Sequence, residues 1–367
     1  MVRELFCQRM SDKSRFFVCI MAGGSGERFW PMSRAAQPKH LLRLLSDRTL
    51  VEETVRRIGT AVPRKNIFVL TNQVQLAATR RALRGLIAPA QIIAEPAKRD
   101  TAPAASLATA LVRARGGDDA TLALLPADAF IADAATFSRQ LRAALERAAS
   151  SPAIVTVGIK PDHPATGFGY LEMGRTLAVG ATGVIRAVKR FVEKPDAAKA
   201  RSYVKSGRFS WNAGMFFWRV GTFVGEAERN APELAAFIRG FPAQTTRAAR
   251  YLSVNFPTLP KISVDYAIME KARSVETLEA QFDWDDVGLW TALPKHLKGD
   301  AAGNATRGPV FTSEAKNNIA VSNGRTIALC GVSDLVVVET ADAILVCHRD
   351  AVQDIKKLTQ QLPKELL

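Results

Sequence analysis

The chain has 367 residues, 50 of them Lys or Arg against 35 Asp or Glu, for a formal charge of +15, with 47% of residues apolar and 23% charged. That length and apolar share allow one large domain with a smaller one around a substantial core, and disorder is not the default for such a composition. The excess cations lie scattered along predicted helices (Arg56, Arg57, Arg80, Arg81, Arg84, Arg113, Arg115) without a long run or an aromatic-interleaved stripe. They suit phosphorylated small molecules or plain solvation, and no nucleic-acid partner is expected.

Four cysteines and four histidines are dispersed without metal-ligand spacing, which suits reduced thiols and argues against a zinc site. No apolar stretch nears the about 20 residues needed to cross a bilayer, and residues 1–15 carry charge in place of a secretory apolar segment. A cytoplasmic protein with no membrane partner is expected. Residues 1–15 read as a poorly ordered leader, with Met10 a second candidate start.

Phe16–Ala22 is a continuous apolar run, as for a strand buried on both faces of a parallel sheet. It breaks into Gly23, Gly24 and Gly26, whose missing Cβ atoms let main-chain N–H groups turn toward phosphate oxygens. Arg28 and Lys39 supply cations, so the stretch suits a nucleoside triphosphate. Neither the P-loop pattern nor the dinucleotide fingerprint is present, and a turn whose glycines serve geometry alone stays open.

Apolar runs then alternate with helical patterns. Helices are predicted over Thr49–Ile58, Gln73–Arg84, Ala104–Arg115 and Ala134–Ala149, and strands over Asn66–Leu70, Gln91–Ala94, Thr121–Leu125 and Ala153–Ile159. This order predicts a parallel sheet wrapped on both faces, with its ligand at the carboxyl ends of the strands. Two of those ends carry polar groups. Glu95-Pro96 leads to Asp100-Thr101-Ala102-Pro103, and Leu125-Pro126-Ala127-Asp128 places a carboxylate where it can hold Mg²⁺ beside a triphosphate.

From 160 to 295 longer, partly antiparallel strands are expected to form a lid. Gly169 permits close approach of a sugar ring, Glu193-Lys194-Pro195 offers a counter-charge for a phosphate, and Asn212 opens an apolar strand with an amide suited to hydroxyls. Each is equally readable as a surface turn or a core strand. Ile262–Lys271 reads as a core helix that Ser263 caps, with Asp265 its exception. Asp283, Asp285 and Asp286 crowd one turn and repel unless a cation or solvent separates them. After 300, short β runs at 310–312, 318–322, 326–330, 335–340 and 343–347 precede a closing helix at Val352–Leu362.

Ala22-Gly23-Gly24-Ser25-Gly26-Glu27-Arg28 with Pro38-Lys39 closely resembles the signature of the sugar-1-phosphate nucleotidylyltransferases. Phe29-Trp30-Pro31 resembles the spelling of the mannose-1-phosphate guanylyltransferases among them. The likeness spans roughly residues 16–350, with its motifs in the family's order. It implies an α/β fold: a Rossmann-like mixed, mainly parallel sheet of the nucleotide-diphospho-sugar transferase type over 16–298, then a small left-handed β-helix-like domain over 299–367.

By the same resemblance, Arg28 and Lys39 are catalytic, and Ala22, Gly23, Gly24, Gly26, Glu95, Thr101 and Ala102 bind the nucleotide. Gly169, Glu193, Lys194 and Asn212 bind the sugar phosphate, and Asp128 and Asp286 hold Mg²⁺. The implied reaction makes GDP-mannose and pyrophosphate from GTP and α-D-mannose 1-phosphate, for polysaccharide synthesis, in a homodimer. Two positions depart from the pattern: Asp100 stands where the family usually has Asn, and Ala129 where it usually has His. Another hexose 1-phosphate or nucleotide, or a non-catalytic regulatory homologue, are the alternatives.

Overall fold

The computed structural model describes residues 15–24 and 26–367. The expected leader thus lies, apart from Arg15, outside the described residues, as does Ser25 of the glycine turn. Strand β1 (Phe16–Met21) is followed by α1 (Leu50–Ile58), β2 (Ile67–Asn72), α2 (Leu76–Ala82), β3 (Ile92–Glu95), α3 (Thr101–Gly116), β4 (Thr121–Pro126), α4 (Ala134–Ser150) and β5 (Ile154–Ile159). β3, β2, β1 and β4 lie side by side and parallel. Phe16, Val18 and Ile20 point into one core layer, and Phe17 and Cys19 into the other. β1 is therefore buried on both faces, which is why its sequence is an unbroken apolar run.

Helix boundaries follow from capping. α1 begins one residue after Thr49, because the Thr49 hydroxyl accepts from the Glu52 N–H while the Glu52 carboxylate accepts from the Thr49 N–H. α3 begins at Thr101, earlier than its apolar pattern suggests, because the Asp100 carboxylate accepts from Thr101 N–H at 2.8 Å.

The second half adds β6 (Tyr170–Gly180), β7 (Gly183–Val192), α5 (Ala197–Ser206), β8 (Phe209–Arg219), α6 (Val220–Asn230), α7 (Pro232–Gly240), α8 (Thr245–Asn255) and β9 (Val275–Glu279). One sheet runs β3-β2-β1-β4-β8-β5-β9-β7-β6. The strands expected as a separate lid are thus hydrogen-bonded into the same sheet. β8 enters it antiparallel between β4 and β5, with Phe217 facing one core layer and Trp218 the other. The strand starts at Phe209, so Asn212 sits inside the sheet and not at its opening. The helix expected over Ile262–Lys271 contracts to a π-helical stretch, Asp265–Met269. Its approach is tied elsewhere: Ile262 O accepts from Ala102 N–H, and Val264 N–H donates to the Thr101 hydroxyl at 2.9 Å.

The remaining strands are β10 (Ala305–Arg307), β11 (Val310–Ser313), β12 (Ile319–Ser322), β13 (Ile327–Cys330), β14 (Leu335–Glu339) and β15 (Ile344–His348). The chain alternates between two parallel ladders, β10-β12-β14 and β11-β13, and β15 closes the first antiparallel. This is the winding of a small β-helix-like coil. The expected closing helix is shorter: a 3₁₀ stretch, Arg349–Asp354, runs into α9 (Ile355–Thr359). Among the described residues no helix is long and apolar enough to cross a membrane.

Stacked asparagines hold the coil's turns together. Asn304 Oδ1 accepts from the main-chain and side-chain N–H groups of Asn318, whose own amide donates to Val332 O and accepts from Leu335 N–H. Asn318 is fully buried. Asn318→Ala strands several buried polar groups at once and is expected to cost about 3 kcal/mol or more, read as a lower midpoint in urea unfolding; an unchanged midpoint would show the stack to be dispensable.

Candidate active site

Where β1 ends, Ala22 N–H bonds to Leu70 O and the Thr71 hydroxyl donates to Ala22 O at 2.9 Å, so the turn leaves the sheet in a fixed direction. Gly26 has φ 64°, and a Cβ there would stand 2.5 Å from Lys39 Cβ. Glycine is required at this point on both counts. Gly23 lies beside the end of β3, where a Cβ would meet Glu95 Oε2 at 3.6 Å, while Gly24 faces open space. Arg28 is exposed along the cavity wall, whereas Lys39 is buried.

Asp128 follows β4 and is pinned from both sides. In α1, the Thr54 hydroxyl donates to Ala127 O at 3.2 Å and the buried Arg57 guanidinium donates to Ala129 O at 2.7 Å. Two residues on, Phe130 and Asp285 exchange main-chain hydrogen bonds of 2.8 and 3.1 Å. This bridge brings the Asp128 and Asp286 segments together. Lys39 Nζ then spans them, 2.8 Å from Asp128 Oδ2 and donating to the Asp286 carbonyl. The burial that opposes ionisation of Asp128 is outweighed by the Lys39 charge and hydrogen bond, which hold its carboxyl below the usual range. Asp286 is pushed up, by burial first and then by the negative charges of Asp285 and Asp128, against the pull of Lys39.

The three acids of the 283–286 turn separate by their partners. The Asp283 carboxylate accepts from the N–H groups of Ala132 and Asp133, and Asp285 accepts from Val287 N–H at 2.7 Å and lies 3.0 Å from His296 Nε2. Asp286 remains on the cavity. Its exposure there is enforced by an unusual backbone: Val287 has φ 45°, rare for a β-branched residue, and is held by complete burial of its side chain. A Cβ on Gly288 would stand 2.7 Å from Asp286 Oδ2, so glycine gives the carboxylate room.

Gly26, Arg28, Lys39, Asp128 and Asp286 line one cavity of about 390 Å³. An adjoining cavity of about 480 Å³ shares Arg28, Trp284, Asp286 and Gly288 with it and is walled opposite by residues 164–168 and Trp211. Two carboxylates facing a cavity, with no cluster of three or more metal-ligating side chains among the described residues, suit a cation that keeps water and substrate oxygens in its shell, as Mg²⁺ does.

The remaining candidates form a second group. A Cβ on Gly169 would stand 2.6 Å from Glu193 Oε2 and 3.4 Å from Asn212 Cβ, and Gly169 O accepts from Asn212 N–H at 2.8 Å. Lys194 Nζ lies 2.8 Å from Glu193 Oε1. Burial lowers the Lys194 ammonium, but the Glu193 hydrogen bond and charge win and raise it. Asn212 Oδ1 accepts from the Thr156 hydroxyl and Gly214 N–H. Thr101 and Ala102 differ from the rest, because the Thr101 hydroxyl oxygen and both residues' N–H groups already take part in internal bonds. Asp100 has φ 70° and ψ −173°, a region close to glycine-only, which a short side chain bonding to the next N–H makes tolerable.

Sequence reasoning passed over His40. It is buried next to Lys39, its pKa is pushed down to about 4 by burial despite the Asp128 charge, and its Nε2 has no hydrogen-bond partner among the described residues. Dispersal among four histidines hid it, although its place beside Lys39 was a usable signal. Trp284 and Lys356, both in the cavity wall, carried no signal of their own.

A family model described as nucleotidyl transferase matches residues 18–303. The chain belongs to this nucleotidyl transferase family. A second model, described as the mannose-phosphate isomerase/GMP-like β-helix domain, matches residues 308–362 of the transferase. Its relatives include the xanthan biosynthesis protein XanB of Xanthomonas campestris pv. campestris, 37% identical over 94% of this chain and 72% of that protein. The mannose-1-phosphate guanylyltransferase of Escherichia coli K12 is 35% identical over 95% of this chain and 74% of its own length. Among solved structures, one described as mannose-1-phosphate geranyltransferase from Thermus thermophilus superposes with a TM-score of 0.85 at 30% identity, covering 95% of this transferase and 99% of that chain.

Burial pushes the Glu95 carboxyl up from 4.5 to about 8. In the unfolded chain it ionises in the ordinary carboxyl range, so folding takes up a proton between those values and stability falls as pH rises through them. Glu95→Gln cannot ionise, and its unfolding temperature should therefore drop less than that of the wild type between about pH 4.5 and about pH 8. Parallel curves would show that the carboxyl is not held neutral.

Proposed function

We propose that this nucleotidyl transferase makes GDP-mannose and pyrophosphate from GTP and α-D-mannose 1-phosphate. The observation that carries the reading is the convergence of Gly26, Arg28, Lys39, Asp128 and Asp286 on one cavity. The relatives named mannose-1-phosphate guanylyltransferase support the choice of substrates.

In this reading the triphosphate follows the Gly23–Arg28 turn, with the guanine toward Glu95 and Asp100. The sugar phosphate lies by Lys194, with Glu193 and Asn212 on its hydroxyls and Gly169 giving the ring room. A phosphate oxygen of mannose 1-phosphate attacks the α-phosphorus, the bond from that phosphorus to the αβ-bridging oxygen breaks, and pyrophosphate leaves with the electron pair. The nucleophile is already an anion, so no general base is needed. The barrier is repulsion between polyanions, lowered by holding them in line and by cations aimed at the phosphoryl oxygens. Arg28 and Lys39 supply fixed positive charge. Asp128 and Asp286 would hold Mg²⁺, which supplies further charge neutralisation when bound.

Incubating the protein with Mg²⁺, a panel of hexose 1-phosphates and each of GTP, ATP, UTP and dTTP, and measuring pyrophosphate and nucleotide-sugar, tests the proposal. GDP-mannose is expected to dominate, other bases being at least about 100-fold slower; a faster reaction with another pair would overturn the assignment. Asp128→Asn and Lys39→Ala are each expected to lower kcat about 100-fold or more with unchanged circular dichroism. A folded variant with near wild-type turnover would remove that residue from the mechanism.

A further inference from the structure

The cavity lined by Gly26, Arg28, Lys39 and the two aspartates has one wall that comes from the opposite end of the chain. α9 packs on the 3₁₀ turn Glu27–Phe29, with Ile355 buried in the same core as Phe29 and Trp30. The segment after α9 is tied to that turn as well: the Trp30 indole donates to Leu366 O at 2.9 Å, and Ala35 N–H donates to Leu367 O. These contacts fix the backbone of Lys356 at the rim, and its side chain lines the cavity.

That wall carries the acids Glu27, Asp128 and Asp286 and the cations Arg28, Lys39 and Lys356, which differ in how they are paired. Lys39 is paired with Asp128 at 2.8 Å, and the neighbouring Lys357 is paired with Asp354 at 2.7 Å. Lys356 and Arg28 have no ion-pair partner among the described residues. Lys356 also lines the next cavity along, beside Glu27, Trp30 and Ser33, but not the one bounded by residues 164–168. It therefore stands at the end of the cavity shared with Glu27, away from the end shared with residues 164–168. In an in-line displacement the leaving group departs opposite the attacking oxygen.

We infer that Lys356, carried by the C-terminal segment, is a phosphate-binding residue of the active site that contacts the outer phosphates of the nucleoside triphosphate and the pyrophosphate they become. This rests on the reaction proposed above. It also makes the C-terminal coil part of the catalytic machinery, because the residue that binds the leaving group is held in place by that coil's core.

The test compares the wild type with Lys356→Gln, Lys356→Arg and Lys357→Gln. GTP and GMP binding are measured by calorimetry without divalent cation or sugar, and KM for GTP, mannose 1-phosphate and, in reverse, pyrophosphate is measured with Mg²⁺. Losing one charged phosphate contact is expected to weaken GTP binding and raise KM for pyrophosphate roughly tenfold. GMP binding and KM for mannose 1-phosphate should stay within about twofold, with Arg restoring most of the loss and Lys357→Gln resembling the wild type. Unchanged GTP binding in Lys356→Gln, or equal weakening of GTP, GMP and mannose 1-phosphate, would overturn the inference. A wild type that binds GTP but forms no GDP-mannose would sink the proposed reaction, while the calorimetry would still decide the role of Lys356 in binding.

Discussion

The ammonium of Lys39 sits 2.8 Å from the Asp128 carboxylate and donates to the Asp286 carbonyl, joining segments that arrive from three distant parts of the chain. A buried charge is tolerated only when paired, so this contact constrains the backbone on every side. Gly26 must be glycine because the Lys39 segment passes against it. Asp128 must be held at a fixed height above the sheet, which Thr54 and Arg57 do from below. Asp286 must present its carbonyl inward and its carboxylate to the cavity, which forces Val287 into a left-handed conformation. The site is less a set of separate motifs than one cation with its surroundings fitted round it.

What holds those surroundings is a single apolar core that ignores the boundary between sheet and coil. Phe29, Trp30, Leu42 and Leu44 come from the turn and the segment around Lys39, and Val287 and Trp290 from the aspartate loop. Ile319, Val321, Val336 and Val338 come from the coil. The strained Val287 backbone is opposed by the burial of its own side chain in this core, so the coil stabilises the loop that carries Asp286.

Much of the fold was legible because local signals agreed. Apolar runs such as Phe16–Met21 can be satisfied only by burial on both faces, and Gly116 and Pro126 mark where elements end. The partners of β8 were not legible, because FSWNAGMFFWR reads the same whether its neighbours run parallel or antiparallel. In the site, glycines and cations close together in sequence were visible from spacing. The three acids of the 283–286 turn were not separable, since the groups that engage Asp283 and Asp285 come from Ala132, Asp133 and His296 and only tertiary contact assigns them. Lys356 escaped for the same reason, a lone Lys having no signature until something folds against it, whereas His40 was hidden by dispersal although it adjoins Lys39.

The insertion of β8 between β4 and β5 has a consequence for biogenesis. As the polypeptide emerges, β1 to β5 are available early, yet β4 and β5 are not neighbours in the finished sheet, and the strand that lies between them is not made until residues 209–219. Until then two apolar strand edges wait for a partner that only later synthesis can provide, and such edges recruit other chains readily. A nascent or truncated product that stops short of Phe209 thus exposes strand edges that the finished sheet covers.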